Sequence, residues 1–309
     1  MKVQKITANQ EKQIRELFEK GYSGRKIAYQ IGLSKSAVNR FLSKSNLRTA
    51  RKPRILFLDL ENAPSVVAAF QRWDVNISQD HVIEEGGWLI SACWKFLGED
   101  KVSYCLVTPE EARNRDDSRV VASLYEAVEQ ADVVIAHNLK KFDWPLFKTR
   151  LLMNGFPPPP TVKLVDTLRI AKSLKFNSNK LDSLGEVLEI GRKKQNAGIT
   201  LWLECMEGKT GSLLDMLEYN EEDVELLERL YLKIRAWDGT APNLAMYKDD
   251  TLHRCPICTS SDVYKTGNVV YTAASAFEEV QCGHCGHRSK IKGNLLSKEK
   301  RNSLISTAK

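Results

Sequence analysis

Residues 55–61 read Ile55-Leu56-Phe57-Leu58-Asp59-Leu60-Glu61, an apolar run that takes on two acids before it ends. A short continuous apolar run fits a strand buried on both faces. Period-two alternation places Ile55, Phe57, Asp59 and Glu61 on one side, with Leu56, Leu58 and Leu60 on the other. Two neighbouring carboxylates at the end of such a strand are costly unless a positive charge lies between them. A divalent cation meets that need, and hard oxygen ligands suit magnesium or manganese. A pair of solvated acids at a strand end is the other reading of this motif taken alone.

Downstream of this strand the pattern alternates between strands and helices. Residues 86–98 (GGWLISACWKFLG) and 101–108 (KVSYCLVT) form a hairpin pair joined through Glu99-Asp100, and residues 118–130 form a helix. Asp132-Val-Val-Ile-Ala-His137-Asn138 is a further buried strand, followed by Leu139-Lys140-Lys141-Phe142-Asp143-Trp144-Pro145, where a helix begins. Asp143 is there either as a helix cap or as a ligand. Val162 to Val165 is a short strand, and Asp166 caps the helix that opens at Thr167. The last long helix runs from about Ser212 to Trp237. Leu213, Leu214, Leu217, Val224, Leu226, Leu227 and Leu230 supply its apolar side, while Tyr219 and Asp223 stand at i and i+4 on one face. The pattern is that of an α/β domain.

Three of these pieces occur in a telling order. They are Asp-x-Glu on a first strand, Asn138-x3-Phe142-Asp143 after a later one, and Tyr219-x3-Asp223 on the last helix. They resemble the three motifs of the DEDD exonuclease superfamily, whose members include the 3′–5′ proofreading domains of DNA polymerases. HNLKKFDWPLF is close to the second motif of the family-B polymerase branch, with Leu139 where glycine is common. Glu218 stands where a sister branch carries histidine, which assigns the tyrosine variant.

The resemblance implies a ribonuclease-H-like mixed sheet with flanking helices over residues 55–240. It implies a metal-dependent 3′–5′ exonuclease, a phosphodiester hydrolase acting on DNA. Asp59, Glu61, Asp143 and Asp223 would hold two Mg²⁺ or Mn²⁺ ions ~3.5–4 Å apart, one activating water and the other stabilising the leaving oxygen. A tyrosine titrates near ~10, so Tyr219 is given the work of positioning the water. Asn138 is expected to touch the nucleic acid. Arg72 and Trp73, in the long segment after the first motif, are expected to clamp or stack on a terminal nucleotide; packing of Trp73 in the core is the alternative.

The N-terminal region is built differently. Residues 9–44 read as three short helices, with Ile14, Leu17 and Phe18 facing inward from the first. Gly21 ends that helix and Ser23 caps the next. The second helix, from about Gly24 to Ile31, buries Ile27, Ala28 and Ile31. Gly32-Leu33 turns the chain, and Ser34 caps a third helix from about Lys35 to Lys44. That helix turns Val38, Phe41 and Leu42 inward and Lys35, Ser36, Asn39 and Arg40 outward. YSGRKIAYQIGLSKSAVNRFL resembles the helix-turn-helix of site-specific resolvases and transposases, which implies a small all-α DNA-binding domain over residues 1–45. A three-helix bundle for protein contact is the other reading. Residues 46–54 form a basic linker, with Arg51 and Lys52 placed to follow phosphates.

Seven cysteines are present. An odd total without an export signal argues against a disulfide framework. Cys93, Cys105 and Cys205 sit in apolar stretches as buried thiols. Cys255-Pro-Ile-Cys258 and Cys282-Gly-His-Cys285 are two knuckles whose thiolates complete one tetrahedral, structural Zn²⁺ site, with an iron–sulfur centre or a redox pair as the other readings. Val263–Lys265 and Asn268–Thr272 read as strands, making residues 250–295 a small β zinc ribbon that depends on metal to fold. His253, His284 and His287 stay outside the zinc shell, and Arg288, Lys290 and Lys292 form a basic edge. Residues 296–309 read as a disordered tail.

Charge follows the same division. Residues 1–54 hold 14 Lys/Arg against 3 Asp/Glu (net +11), residues 55–254 hold 24 against 32 (net −8), and residues 255–309 hold 8 against 4 (net +4). Basic ends around an acidic body suit a polyanionic partner, nucleic acid, provided that cations cover the body's carboxylates. No run approaches the ~18 apolar residues of a membrane span, and a cytoplasmic location is expected from the lack of a signal-like start. The order of the parts resembles nucleases of bacteriophages and mobile elements. Two rivals are a ribonuclease-H-fold transposase or integrase, disfavoured by the Tyr-x3-Asp helix, and a catalytically silent DNA-binding regulator, disfavoured by the full set of four acids.

Overall fold

The computed structural model describes residues 6–19, 22, 24–45, 52–71, 73–193 and 197–305. Gly21, Ser23, Arg51 and Arg72, and the parts assigned to them above, lie outside these residues. The chain divides into two compact units, one over residues 54–233 and one made of residues 1–53 with residues 234–309.

At the N-terminal end, α1 (Ala8–Glu19), α2 (Gly24–Ile31) and α3 (Lys35–Lys44) enclose a core of their own. Ile14, Ile27, Val38 and Leu42 are fully buried, with Phe18, Ala28 and Leu33 around them. Gly32 takes φ +68 between α2 and α3, a conformation that glycine adopts without strain. The Ser34 hydroxyl accepts the Ala37 N–H and caps α3. Leu17, Ile31 and Phe41 pack at the margin of this core.

The larger unit is a five-stranded sheet with helices. Its elements in chain order are β1 (Ile55–Asn62), β2 (Val66–Val67), β3 (Val82–Glu84), β4 (Leu89–Phe96), β5 (Ser103–Leu106), α4 (Pro109–Asn114), α5 (Ser118–Glu129), β6 (Val133–Ala136), α6 (Asp143–Met153), β7 (Lys163–Asp166), α7 (Thr167–Ser173), α8 (Leu181–Val187), α9 (Ile199–Met206) and α10 (Thr210–Ile234). Strand order is β5-β4-β1-β6-β7, with β5, β4 and β1 antiparallel in sequence and β1, β6 and β7 parallel. β1 is therefore central, which explains why Ile55, Leu56, Phe57 and Leu58 are all buried. Each such side chain is worth about 1.5–3 kcal/mol of burial. Leu124 from α5, Phe147 from α6, and Leu226, Leu227 and Leu230 from α10 are buried as well. Leu214, expected on the apolar side of α10, is 57% exposed. The spacing i, i+1 from Leu213 carries it off the buried face.

β2 and β3 pair as a small antiparallel arm within the segment that follows β1. Its tip leaves Phe70 and Trp73 103% and 82% exposed, which removes the core-packing alternative for Trp73. Sequence periodicity gives no sign of this arm or of α4, α8 and α9, because each is too short to show a repeat.

In the C-terminal part, β8 (Val263–Thr272), β9 (Ser275–Cys282) and β10 (Arg288–Asn294) form an antiparallel sheet of order β10-β9-β8. Val263–Lys265 and Asn268–Thr272, expected as two strands, form the single strand β8, with an irregularity between Lys265 and Val269. A short helix, α11 (Lys298–Asn302), capped by Ser297, stands in the stretch that the sequence leaves unstructured. No helix among the described residues is long and apolar enough to cross a membrane.

Candidate active site

The ladder between β1 and β6 runs only from Ile55↔Val133 to Phe57↔Ile135. Asp59 and Glu61 thus lie beyond the carboxyl end of the parallel strands, where open α/β sheets place their ligand crevices. They are still held on the other edge by β4, through Asp59↔Cys93 and Glu61↔Ser91, with a bulge immediately after Glu61. Both carboxylates come together with that of Asp223 from α10, with ligand atoms of all three within 4.8 Å of one another. Asp143, the first residue of α6, is 2% exposed. Its carboxylate accepts its own N–H and that of Leu60, and Asp59 repels it. Asp143 is part of the helix rather than its cap residue, which is Phe142.

The loop that delivers Asp143 is fixed by Asp166. Asp166 accepts the N–H groups of Asn138 (3.0 Å), Lys140 (3.2 Å) and Leu168 (3.1 Å), so it caps α7 while pinning the turn before α6. Asn138 takes φ +76, a left-handed conformation that asparagine tolerates better than most residues. Leu139 beside it is fully buried. His137 bridges Thr167 (2.9 Å) and the Asn179 carbonyl (2.8 Å). Burial lowers its pKa and favours a neutral ring.

Burial, with repulsion from Asp223, pushes the Asp59 carboxyl up to about 7 even though Lys193 pulls it down. Burial and Asp59 hold Glu61 and Asp143 well above the carboxylate range. Burial also raises Asp223, against the pull of Lys193 and Tyr219. Among the described residues, Asp59, Glu61 and Asp223 thus face one ammonium, that of Lys193, with Asp143 beside Asp59. The Asp143 Oδ2, Asp223 Oδ1 and Asn220 Oδ1 atoms are buried with no hydrogen-bond partner. Buried oxygen acceptors that lack donors, on groups short of positive charge, fit a hard divalent cation.

Three residues not singled out from the sequence complete the site. Lys193 donates to the Tyr219 hydroxyl at 3.0 Å and forms an ion pair with Asp223. Tyr219 in turn donates to Asp223. Burial and Asp223 push the phenol up to about 12, so it keeps its proton. Burial opposes the Lys193 charge, but Asp223 and Asp59 outweigh this and raise its pKa. Asn220 is fully buried and donates through Nδ2 to Asp59 Oδ2 at 2.9 Å. Trp202 on α9 donates to Glu61, and its ring meets that of Tyr219 edge-on at 6.1 Å. The only sequence sign of Lys193 is a basic triplet, Arg192-Lys193-Lys194, inside an acidic domain.

The other metal-type cluster is Cys255, Cys258, Cys282 and Cys285, whose sulfurs lie within 4.8 Å of one another. The Cys255–Cys285 and Cys258–Cys282 sulfur separations are both 3.6 Å. A tetrahedron with zinc–sulfur bonds of about 2.3 Å has edges of about 3.8 Å, so the four donors fit zinc. Gly286 takes φ +79, and a Cβ at Gly283 would meet the Asp262 carboxylate at 2.0 Å. Gly286 is thus favoured by its backbone conformation, whereas a side chain at Gly283 would need Asp262 to move aside. His287 donates its Nδ1–H to the Ala236 carbonyl (2.7 Å), outside the sulfur cluster. Cys93, Cys105 and Cys205 are buried and unbridged.

On α3, Lys35, Ser36 and Arg40 are exposed, whereas Asn39 is half-buried. A Cβ at Gly24 would meet the Asn39 carboxamide at 2.4 Å, so this side chain lies against the start of α2 rather than pointing outward. Lys52 is exposed.

Residues 86–235 match a family model of the ribonuclease H superfamily, RNase_H_2. The match starts before β4 and ends just after α10, taking in Asp143, Tyr219 and Asp223 and leaving β1 outside. No curated protein matches the chain. Among solved structures, the chain is similar to the family B DNA polymerase from the hyperthermophilic archaeon Pyrobaculum calidifontis. The TM-score is 0.46 and identity 15%, over 64% of this chain and 27% of that one. The central mixed sheet of this chain, with its flanking helices, is a ribonuclease-H-like fold.

Proposed function

We propose that the protein is a metal-dependent 3′–5′ exonuclease acting on DNA. The observation that carries this reading is the convergence of Asp59, Glu61 and Asp223 within 4.8 Å beside the buried Asp143. Asp59, Glu61, Asp143 and Asp223 would hold two Mg²⁺ or Mn²⁺ ions. When bound, these supply the positive charge that acidifies water and steadies the phosphodiester oxygens.

The chain's own residues do the remaining work. In the hydrolysis, a water oxygen bonds to phosphorus and the bond to the 3′ oxygen of the preceding nucleotide breaks. That oxygen takes up a proton, and a 5′-mononucleotide leaves. Tyr219, protonated and held between Lys193 and Asp223, orients the water rather than taking its proton. Asn138 and Trp73 hold the terminal nucleotide, Trp73 by stacking its exposed ring on a base. Lys35, Ser36 and Arg40 of α3, with Lys52 after it, engage the duplex or its phosphates, α3 acting as the last helix of a helix-turn-helix. Cys255, Cys258, Cys282 and Cys285 hold one structural Zn²⁺, and the ribbon with its basic edge adds affinity.

The test is purified protein with Mn²⁺ and end-labelled single-stranded DNA, duplex DNA and RNA, with products resolved nucleotide by nucleotide. A ladder that shortens from the 3′ end, absent in Asp59→Ala and Asp143→Ala, is the expected result. Full activity after chelation, or joined donor strands in place of released nucleotides, would overturn the assignment.

A further inference from the structure

We propose that Asn220 is a positioning residue of the acidic site, an uncharged donor that sets Asp59 for a divalent cation. The proposal rests on the reading of this cluster as a metal site. α10 presents Asn220 and Asp223 three residues apart, on one face. One helix therefore delivers both a carboxylate and the group that steers its neighbour.

With Asp59 ionised, the form that binds a cation, this partner assigns the carboxamide's orientation. Nδ2 lies 2.9 Å from Asp59 Oδ2. The flipped amide would set its oxygen against a carboxylate oxygen, which repels, so Nδ2 is the atom that faces Asp59. This hydrogen bond occupies one oxygen of Asp59 and leaves its other oxygen available to a cation. The donor's charge matters too. An ammonium or guanidinium in this place would orient Asp59 equally well but would repel the ion that Asp59 is to bind. A carboxamide orients without that penalty.

The rest of the side chain points the same way. Asn220 is fully buried, and its Oδ1 has no hydrogen-bond partner. A residue kept only for packing would not carry an unpaired acceptor in a buried place, since an apolar residue of similar shape avoids that cost. The unpaired Oδ1 is an acceptor for water that a cation brings with it.

The experiment measures Mn²⁺ affinity from the free-Mn²⁺ electron paramagnetic resonance signal on the full chain, with thermal melting in metal-free buffer as the fold control. Asn220→Leu keeps the branched shape and removes both polar atoms, and Asn220→Ala removes the group altogether. Outer donors to metal ligands are typically worth 10–100-fold in affinity. The expected result is an Mn²⁺ affinity lowered by about 10–100-fold in either folded variant. A variant that binds Mn²⁺ as tightly as the wild type, whatever its melting temperature, overturns the proposal, because a purely structural role moves melting and not affinity. Asp59→Ala separates the two readings. If the wild type itself binds no Mn²⁺, or if Asp59→Ala binds it unchanged, the metal-site reading fails and this inference with it. If only the Asn220 variants are unchanged, the inference alone fails.

Discussion

Metal-free protein is expected to lose stability in its larger unit as pH rises from about 4 to about 7, and divalent metal is expected to reverse the sign. The cause is a set of carboxyl groups whose pKa values lie above their unfolded ones. Asp59 moves from 3.8 to about 7. A group raised in this way binds its proton more tightly when folded. Its contribution is complete below 3.8 and is lost as pH climbs through about 7. At about 1.4 kcal/mol per pH unit, this comes to about 4 kcal/mol as an upper bound for Asp59. A unit of this size shifts by roughly 2–4 °C per kcal/mol, so the fall is up to roughly 8–16 °C. Mn²⁺ or Mg²⁺ binds the deprotonated carboxylates, so in its presence stability should rise over the same interval. Melting is followed by tryptophan fluorescence, because five of the six tryptophans (Trp73, Trp88, Trp94, Trp144 and Trp202) lie in residues 54–233. Asp59→Asn removes the charge while keeping the shape. In metal-free buffer near pH 8 it should melt above the wild type, and it should gain little from metal. A metal-free melting temperature that rises with pH, or an Asp59→Asn slope equal to that of the wild type, would refute the reasoning.

Lys193→Met keeps the stem and deletes the charge, leaving the buried Asp223 without its ion-pair partner. Metal-free stability should fall by about 3 kcal/mol, while Mn²⁺ affinity increases because no ammonium competes for Asp223; a drop in both would argue against competition. The purified chain should contain one zinc, and Cys258→Ser should lower zinc content and open residues 255–294 to limited proteolysis; an intact, protease-resistant segment without zinc would show that the sheet folds by other means. Lys35→Ala with Arg40→Ala should reduce the slope of log affinity against log salt on duplex DNA by about 2, since each phosphate that the protein ceases to neutralise takes about 0.9 off that slope. An unchanged slope would take α3 off the DNA.

The strongest sequence signals were those that repeat locally or sit at fixed spacing. ILFLDLE announces a strand buried on both sides, since four consecutive apolar residues tolerate no wet face, and β1 is the sheet's centre. The helical spacing of Ile27 and Ala28, and of Val38 and Leu42, gives α2 and α3 their inner faces, and Gly32 and Ser34 mark the break between them. Two C-x2-C pairs bring four sulfurs together because each pair is a tight turn. Asp166 as a cap was also legible, from its place before an apolar helix.

Other features have no local signature. Lys193 is 26 residues before Tyr219 and 30 before Asp223, on a loop that periodicity does not describe. Asn220 looks like one more polar residue in an acid-rich helix, yet that side of α10 is turned toward β1. Asn39 looks outward on a helical wheel, but the missing side chain of Gly24 lets it settle inward.

By itself, the sequence determined which residues want to be buried, which backbone runs are strands or helices, and which acids and thiols are spaced for metal. Strand order was decided in three dimensions. With β4 and β6 flanking β1, Asp59 and Glu61 reach past the parallel ladder toward α10, where Asp223, Asn220, Tyr219 and Lys193 meet them. The physical reason is that local periodicity fixes a face, whereas the partner of that face is chosen by chain segments far away in sequence, through burial and charge balance that no short window contains.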